Sequence, residues 1–263
     1  KKKIIKAAYG ILAFIGCSAY FLIVIPHYWY WENYPFREFS TPDRLLTQGR
    51  LLAWYLLQIT IPLPNFMPFF YDGIAISRNF WNPWTTTPAI LILIGLLTLA
   101  WHWRQDRPLF ALGVFLFFSG HFISSNVIGL ELGFEHRNHL PLIGATLALG
   151  DCVQILQKRL NLDSRKIFPF GCILLTMIGC LTAVRAYSWG EPLRFAQDSL
   201  AKAPYSERAW ALLCNTYFER SRQKPDSHDL DLAIKTCQEG AVALNHSAIL
   251  ANNIVIYKTI KGT

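Results

Sequence analysis

Charged residues are scarce in this sequence, at 16% of its 263 residues, whereas soluble domains carry about 25%. Hydrophobic residues make up 52% of the chain, and the mean hydropathy is +0.26. They are concentrated in repeated runs of at least sixteen residues that contain no Asp, Glu, Lys or Arg. These features exclude a soluble enzyme and a disordered chain. They predict an all-α, polytopic membrane protein.

The sequence also lacks the cysteine motifs CxxC and CxxCH, which argues against a metal knuckle and against covalent haem. We therefore predict no metal site and no cofactor. Cys214 and Cys237, 23 residues apart in the less hydrophobic C-terminal part, allow a disulfide outside the cytoplasm. The other four cysteines fall in predicted membrane helices, where a thiol acts as a small apolar group: Cys17, Cys152, Cys172 and Cys180.

Most of the net charge of +8 lies in residues 1–187, the more hydrophobic part of the chain. Residues 1–187 carry 16 Lys and Arg against 9 Asp and Glu, while residues 188–263 carry 9 against 8. The excess lies in three clusters that flank apolar runs, namely Lys1–Lys6, Arg104–Arg107 and Lys158–Lys166. Because Lys and Arg near helix ends stay in the cytoplasm, these clusters predict a cytoplasmic N-terminus and a C-terminal part outside the cytoplasm. Nucleic acid is not a predicted partner.

A transmembrane domain is predicted over residues 1–187, with membrane lipids as partners. At about 1.5 Å per residue, its apolar runs reach roughly 24–33 Å, enough to cross a bilayer core. Five spans follow: Ile4–Ile25, Pro88–Trp103, Pro108–Ile123, Leu140–Gln157 and Ile167–Tyr187.

A long external loop, residues 27–87, separates the first two spans and is rich in aromatic residues. Two explanations stay open for these rings: an aromatic belt at the lipid headgroups, or a platform for a lipid or sugar. Within this loop, in segment 45–63, lies the apolar stretch Leu51–Leu63. At about 20 Å it is too short to span, so we predict an interfacial or re-entrant helix on the non-cytoplasmic side.

The segment Gly129–Pro141 brings several ionisable side chains together between two predicted spans. Arg137 is a candidate for binding a phosphate, because a guanidinium donates two parallel hydrogen bonds to phosphate oxygens. Glu135 would orient the side chain of Arg137. An alternative stays open, in which Glu135 and Arg137 pair with the aromatic loop and only fix the packing of the helices. His136 and His139 without a third ligand do not predict a metal site.

Residues 188–263 have the composition of ordinary amphipathic helices and predict a module outside the cytoplasm. Small residues at the helix crossings suggest hairpins like those of tetratricopeptide (TPR) repeats. Its aromatic residues Trp210, Tyr217 and Tyr257 are the candidates for binding a protein partner. The predicted helices are Glu191–Lys202, Ser206–Arg222, Leu230–Leu244 and Ser247–Ile260.

Two motifs carry a family resemblance: Arg44-Leu-Leu-Thr-Gln-Gly-Arg50 before an apolar helix, and Glu135-His-Arg-Asn-His-Leu-Pro141 opening a span. Together they resemble bacterial transmembrane/TPR proteins similar to the C-terminal half of O-mannosyltransferase-like, GT-C type integral-membrane glycosyltransferases. The resemblance covers roughly residues 1–260, and His139 stands where members often have Tyr. It implies the bacterial inner membrane and a polyprenyl-phosphate sugar donor. The residues expected near the lipid phosphate are Arg50, Glu135, Arg137 and His139.

The catalytic carboxylates of such transferases lie in the first external loop of an N-terminal half with several more spans. Glu32, Glu38 and Asp43 do not match that paired-carboxylate motif, so no catalytic residue is assigned. Two functions stay open. One is an accessory or scaffold subunit that docks a protein partner through its external helical module, which the sequence favours. The other is part of a membrane glycosyltransferase that uses a polyprenyl-phosphate sugar donor.

Overall fold

The computed structural model describes residues 2–35, 37–223, 228–245 and 247–262. Lys1 of the first basic cluster lies outside these residues, as do the side chains of Lys2, Lys6 and Lys166. The described part of the chain is helical and contains no strand, which confirms the all-α prediction.

The helices follow one another along the chain, joined by turns and by three long loops at residues 29–40, 61–85 and 122–138. A π-helical segment, Tyr20–Val24, connects the first two helices into one rod, and single 3-10 turns occur at Pro64–Phe66 and Glu135–Asn138. The α-helices are α1 Lys2–Ala19, α2 Ile25–Tyr28, α3 Thr41–Thr60, α4 Thr86–His102, α5 Pro108–His121, α6 His139–Arg159, α7 Ser164–Trp189, α8 Pro192–Lys202, α9 Glu207–Gln223, α10 Asp229–Ala243 and α11 Ala248–Lys261.

Each of the five predicted spans corresponds to one helix: α1, α4, α5, α6 and α7. Within the described residues, three stretches are long and apolar enough to cross a membrane: Lys3–Tyr28, Glu135–Arg159 and Ile167–Trp189. The apolar helices α4 and α5 are shorter, with 17 and 14 residues. Three candidate spans are therefore present by length and composition, and the crossing of the bilayer by any of the five helices stays a prediction.

Helices α5 and α6 form the closest helix pair of the hydrophobic part, and two glycines bring their backbones together. A Cβ atom on Gly113 would lie 2.5 Å from the carbonyl oxygen of Gly144, and a Cβ on Gly144 would lie 2.5 Å from the carbonyl oxygen of Gly113. Backbone contact of this kind is typical of helix pairs in membranes, where small residues allow close approach.

An ion pair ties the turn between α4 and α5 to α6. The guanidinium of Arg107 lies 2.8 Å from the carboxylate of Asp151, and both side chains are largely buried. Arg107 belongs to the second predicted basic cluster, and it neutralises the one carboxylate inside α6. The pair therefore removes most of the cost of placing an acidic residue in an apolar bundle.

The predicted bounds of the interfacial helix, Leu51–Leu63, are wrong, because α3 runs from Thr41 to Thr60. It begins early because Ser40 and Asp43 form a reciprocal capping box around its first turn. It ends before Ile61 because a residue that precedes a proline, here Pro62, disfavours the α conformation.

The four C-terminal helices, α8 to α11, begin and end within a residue or two of the predicted bounds. We call them the helical module. The core shared by α9, α10 and α11 combines small, aliphatic and aromatic residues, and Gly240 of α10 lies directly against the Trp210 ring of α9. The buried core residues are Cys214, Ala233, Ile234, Cys237, Leu250 and Tyr257.

Candidate functional site

The buried face of α3 is polar, and its arginine holds the loop between α5 and α6. Arg44 is fully buried and donates hydrogen bonds to the carbonyl oxygens of Ser124 and Asn126, both at 2.9 Å, and to that of Leu130. Burial lowers the pKa of Arg44 to about 10, so the guanidinium stays charged at neutral pH. Arg44 is therefore a structural clamp on this loop.

Two further side chains of α3 form hydrogen bonds with the backbone of segment 129–141. The amide of Gln48 donates to the carbonyl of Leu132 at 2.7 Å. The hydroxyl of Tyr55 accepts the backbone N–H of Phe134 at 2.9 Å. The backbone next to Glu135 is thus fixed by α3.

Glu135 forms an ion pair with Arg185, near the end of α7. The Nη1 atom of Arg185 lies 2.7 Å from Oε1, and Nη2 contacts the second carboxylate oxygen, so the pair is bidentate. Sequence reasoning missed Arg185, although it is the one charged residue between positions 167 and 190. The pair joins α7 to the loop between α5 and α6, and the carboxylate of Glu135 is occupied by Arg185.

Arg137 and His139 lie next to this pair but do not converge on one point. The guanidinium of Arg137 donates to the carbonyl oxygen of Glu131 at 2.6 Å and lies 5.3 Å from the centre of the Phe134 ring. His139 is exposed at the start of α6. Arg50 lies elsewhere, in a cavity that none of the other three candidates lines. The predicted phosphate-binding residues are therefore divided between two places.

The cavity that contains Arg50, which we call the Arg50 cavity, has a volume of about 700 Å³. It lies between α3, the start of α4, the loop at 68–74 and the turn between α8 and α9. Most of its surface is apolar, and the residues around it are Arg50, Leu51, Ala53, Trp54, Leu57, Pro68, Phe70, Tyr71, Gly73, Ile74, Trp84, Thr85, Pro88, Ala89, Ile92, Lys202, Ala203, Pro204, Tyr205 and Ser206.

The charges of the Arg50 cavity are positive. Arg50 and Lys202 line it, and no Asp or Glu is among its described lining residues. Lys202 pairs with Asp198 at 2.6 Å. Arg50 donates to the carbonyl of Ala75 and, within the described part of the chain, has no carboxylate partner. Burial lowers the pKa of Arg50, which reflects the cost of keeping this cation beside apolar walls.

A group of polar contacts, which we call the latch, fixes the helical module beside this cavity. It consists of Asp72, Glu131, Ser206 and Arg208. The buried hydroxyl of Ser206 donates to the Asp72 carboxylate at 2.7 Å. Arg208 lies 3.5 Å from Asp72 and 3.2 Å from Glu131. The module is therefore held, through the start of α9, against the loop between α3 and α4 and the loop between α5 and α6.

The three aromatic candidates for partner binding contact other residues of the module. Tyr257 is 3% exposed, and its hydroxyl donates to Asn215. Trp210 donates to the carbonyl of Pro204 at 2.9 Å. Tyr217 is half-buried, and its hydroxyl accepts a 3.4 Å hydrogen bond from Gln197. These rings stabilise the module itself.

A disulfide joins Cys214 of α9 to Cys237 of α10, with their Cα atoms 5.6 Å apart. Among the described residues, no group of three His, Cys, Asp or Glu side chains is placed to hold a metal ion. Asp43, one of the loop carboxylates, caps α3 and pairs with Arg78 at 2.9 Å. The described geometry therefore contains no evident catalytic carboxylate in the Arg50 cavity.

Comparison of the chain with family models, with curated proteins and with solved structures gave no match.

Proposed function

We propose that this chain is an integral membrane protein that binds a long-chain lipid phosphate in the Arg50 cavity. The lipid is of the polyprenyl-phosphate class, and the chain is the donor-holding part of a membrane glycosyltransferase. The observation that carries the proposal is the guanidinium of Arg50, which has no carboxylate partner among the described residues and lines a large, mostly apolar cavity.

The chemistry of the Arg50 cavity suits an amphiphile with an anionic head. A guanidinium binds phosphate oxygens through two parallel hydrogen bonds. The apolar walls formed by residues such as Leu51, Leu57 and Ile92 suit a hydrocarbon chain. A soluble anion would gain nothing from those walls, and a neutral lipid would leave Arg50 buried without a counter-charge.

The surroundings of the cavity support access from a bilayer. Trp84 and Tyr205 at the cavity are 73% and 79% exposed, and amphipathic rings of this kind lie at the lipid headgroups. In the most apolar stretches of the candidate spans Lys3–Tyr28 and Ile167–Trp189, no residue is buried within the protein. Lipid around these helices would bring the ligand to the cavity from the side.

The resemblance carried by the two sequence motifs supports the transferase assignment. Arg50 is the last residue of the first motif and lines the cavity. The second motif begins at Glu135, directly after the backbone that Tyr55 of α3 binds. The role of this chain is limited to holding the lipid phosphate. A carboxylate that acts as base would come from outside the described residues.

Substitution of Arg50 tests the proposal. The purified protein in nanodiscs is titrated with undecaprenyl phosphate and, separately, with undecaprenol. Loss of a charge-assisted hydrogen bond, about 1.5–3 kcal/mol, predicts roughly 10- to 100-fold weaker phosphate binding by Arg50→Gln. Arg50→Lys should keep part of the affinity, because the charge remains.

The matched control is Arg78→Gln, which removes an exposed arginine at the same end of the protein but outside the cavity. It should bind like the wild type. Equal binding of undecaprenol and undecaprenyl phosphate, or undiminished binding by Arg50→Gln, would contradict the proposal.

A second function, that of an accessory subunit, is favoured by an exposed apolar stripe on α11. Ile249, Ile256 and Ile260 lie on one side of this helix and are 48%, 43% and 58% exposed. A partner helix would cover such a stripe. Native and denaturing mass spectrometry of the protein purified from its own membrane tests this: a stoichiometric second subunit, lost with Ile256→Asp, supports it. The chain without a companion contradicts it.

A further inference from the structure

The Arg50 cavity is built from two parts of the chain that are far apart in sequence. Helices α3 and α4 and the loop at 68–74 form most of it, whereas the turn between α8 and α9, residues 202–206, closes one side. The two parts touch closely: a Cβ on Gly73 would lie 3.5 Å from Cβ of Tyr205. Without the docked helical module, the cavity would be open along this side.

The latch that holds the module in place is polar and only partly buried. The side chains of Arg208, Asp72 and Glu131 are each about a third exposed, at 35%, 27% and 32%. Ion pairs with this exposure contribute about 1 kcal/mol or less each. Phe69 and Phe195 also pack across the interface, with their ring centres 4.9 Å apart, so the ion pairs supply one part of the docking free energy. A ligand that touches both sides of the interface would add to it.

A ligand in the Arg50 cavity would touch both sides. Arg50 belongs to α3, and Lys202 belongs to the helical module, and both line the same space. An anionic head group that contacts Arg50 and Lys202, whose ammonium also pairs with Asp198, would add a bridge across the interface. Apolar contact with Pro204 and Tyr205 would add further ligand surface from the module.

We infer that docking of the helical module and binding of the lipid phosphate stabilise each other, so that the ligand site is complete only with the module docked. This inference rests on the proposed function of the Arg50 cavity. A ligand that binds the docked state better shifts the chain toward it, and the coupling is reciprocal by thermodynamic necessity. The module is thus a wall of the ligand site.

The test reverses the charge at the centre of the latch. Arg208→Glu places three carboxylates together and should weaken undecaprenyl phosphate binding about fivefold or more, the usual range for coupled sites. Adding Glu131→Arg to Arg208→Glu restores an ion pair and should recover the affinity. Arg222→Glu, an exposed change on the same helix α9, should bind like the wild type. In the wild-type protein the lipid should also slow amide hydrogen exchange in residues 202–206.

The outcomes separate this inference from the proposed function. Wild-type affinity in Arg208→Glu, or unchanged exchange in residues 202–206 on lipid addition, overturns the coupling while lipid binding stands. A loss in Arg208→Glu that Glu131→Arg does not recover also overturns it, because the defect is then in folding. A wild-type protein that binds no undecaprenyl phosphate overturns both proposals.

Discussion

Helices α3 and α10 bury opposite kinds of side chain. α3 turns Arg44 and Gln48 inward, where they bond to loop carbonyls, and leaves Leu45 exposed. α10 turns Ile234 inward and leaves Glu239 exposed. Both helices are amphipathic, so amphipathicity alone does not tell which side of a helix faces the protein interior.

The difference indicates two different surroundings. A helix in water hides its apolar face, whereas a helix in lipid keeps apolar groups outside and must satisfy its polar groups within the protein. α3 has the pattern expected in or at a bilayer, and α10 has the pattern expected in water. The Arg50 cavity lies where these two regions meet, which is the natural position for an amphiphilic ligand.

The largest effect is expected from replacing Arg44, which lies on the buried face of α3. Arg44→Met leaves three loop carbonyl groups, one buried and two partly buried, without their donor. A fully buried group left unpaired costs about 1–3 kcal/mol, so the free energy of unfolding should fall by about 3 kcal/mol or more. Denaturant titration in detergent micelles measures this. Arg78→Met, which removes an exposed ion pair, is the control and should cost less than about 1 kcal/mol. Similar losses in both variants would show that the buried face of α3 is not the source of stability.

The second prediction compares two positions that are almost equally exposed. Leu175 of α7 is 70% exposed, and Val242 of α10 is 79% exposed. Leu175→Lys should disfavour membrane insertion by about 2.5–3.5 kcal/mol, the cost of a lysine at the centre of a span. Val242→Lys should change stability by no more than about 0.5 kcal/mol, because this side chain is exposed and the module is proposed to lie in water.

A membrane-insertion reporter for α7 and a stability measurement for the module give the two values. If Leu175→Lys is as well tolerated as Val242→Lys, α7 does not lie in lipid, and the comparison between the two regions fails.

The smallest of the three effects concerns packing between α5 and α6. Gly144→Ala adds a methyl group where a Cβ would lie 2.5 Å from a backbone oxygen of α5, so overpacking should cost about 1–3 kcal/mol. Gly150→Ala on the same helix has nothing within 4 Å of the added atom. It should be neutral or stabilising by up to about 1 kcal/mol, because alanine favours helices. Thermal unfolding of both variants in the same detergent decides the matter, and equal shifts would speak against close backbone contact.

The sequence predicted the helices of the module well, because their signals are local. Ser206 and Ser247 stand at the starts of α9 and α11, and each hydroxyl accepts a hydrogen bond from the backbone three residues on. Apolar residues at helical spacing then mark the buried face. Such signals need no knowledge of the rest of the fold.

The start of α3 was missed although a local signal was present. Ser40 and Asp43 have the spacing of a capping box, ten residues before the apolar stretch that drew attention. Between the cap and Leu51, α3 carries the polar residues Thr41, Arg44, Thr47 and Gln48. They are its buried face, which only the tertiary structure explains.

The candidate site was predicted in part, because its contacts join distant parts of the chain. Arg50 was singled out from the sequence, but its cavity also needs the turn at 202–206. Glu135 was singled out too, yet its partner Arg185 lies 50 residues away. No spacing rule connects such pairs, so the division of the predicted phosphate site into two places required the structure.

Native mass spectrometry of the protein released from nanodiscs, titrated with undecaprenyl phosphate, tests the central claim most directly. The account predicts one bound lipid phosphate per wild-type chain and at least about tenfold weaker binding by Arg50→Gln, the loss expected from one charge-assisted hydrogen bond. Undecaprenol should not compete. Equal occupancy in the wild type and in Arg50→Gln, or effective competition by undecaprenol, would contradict the assignment of the Arg50 cavity as a lipid-phosphate site.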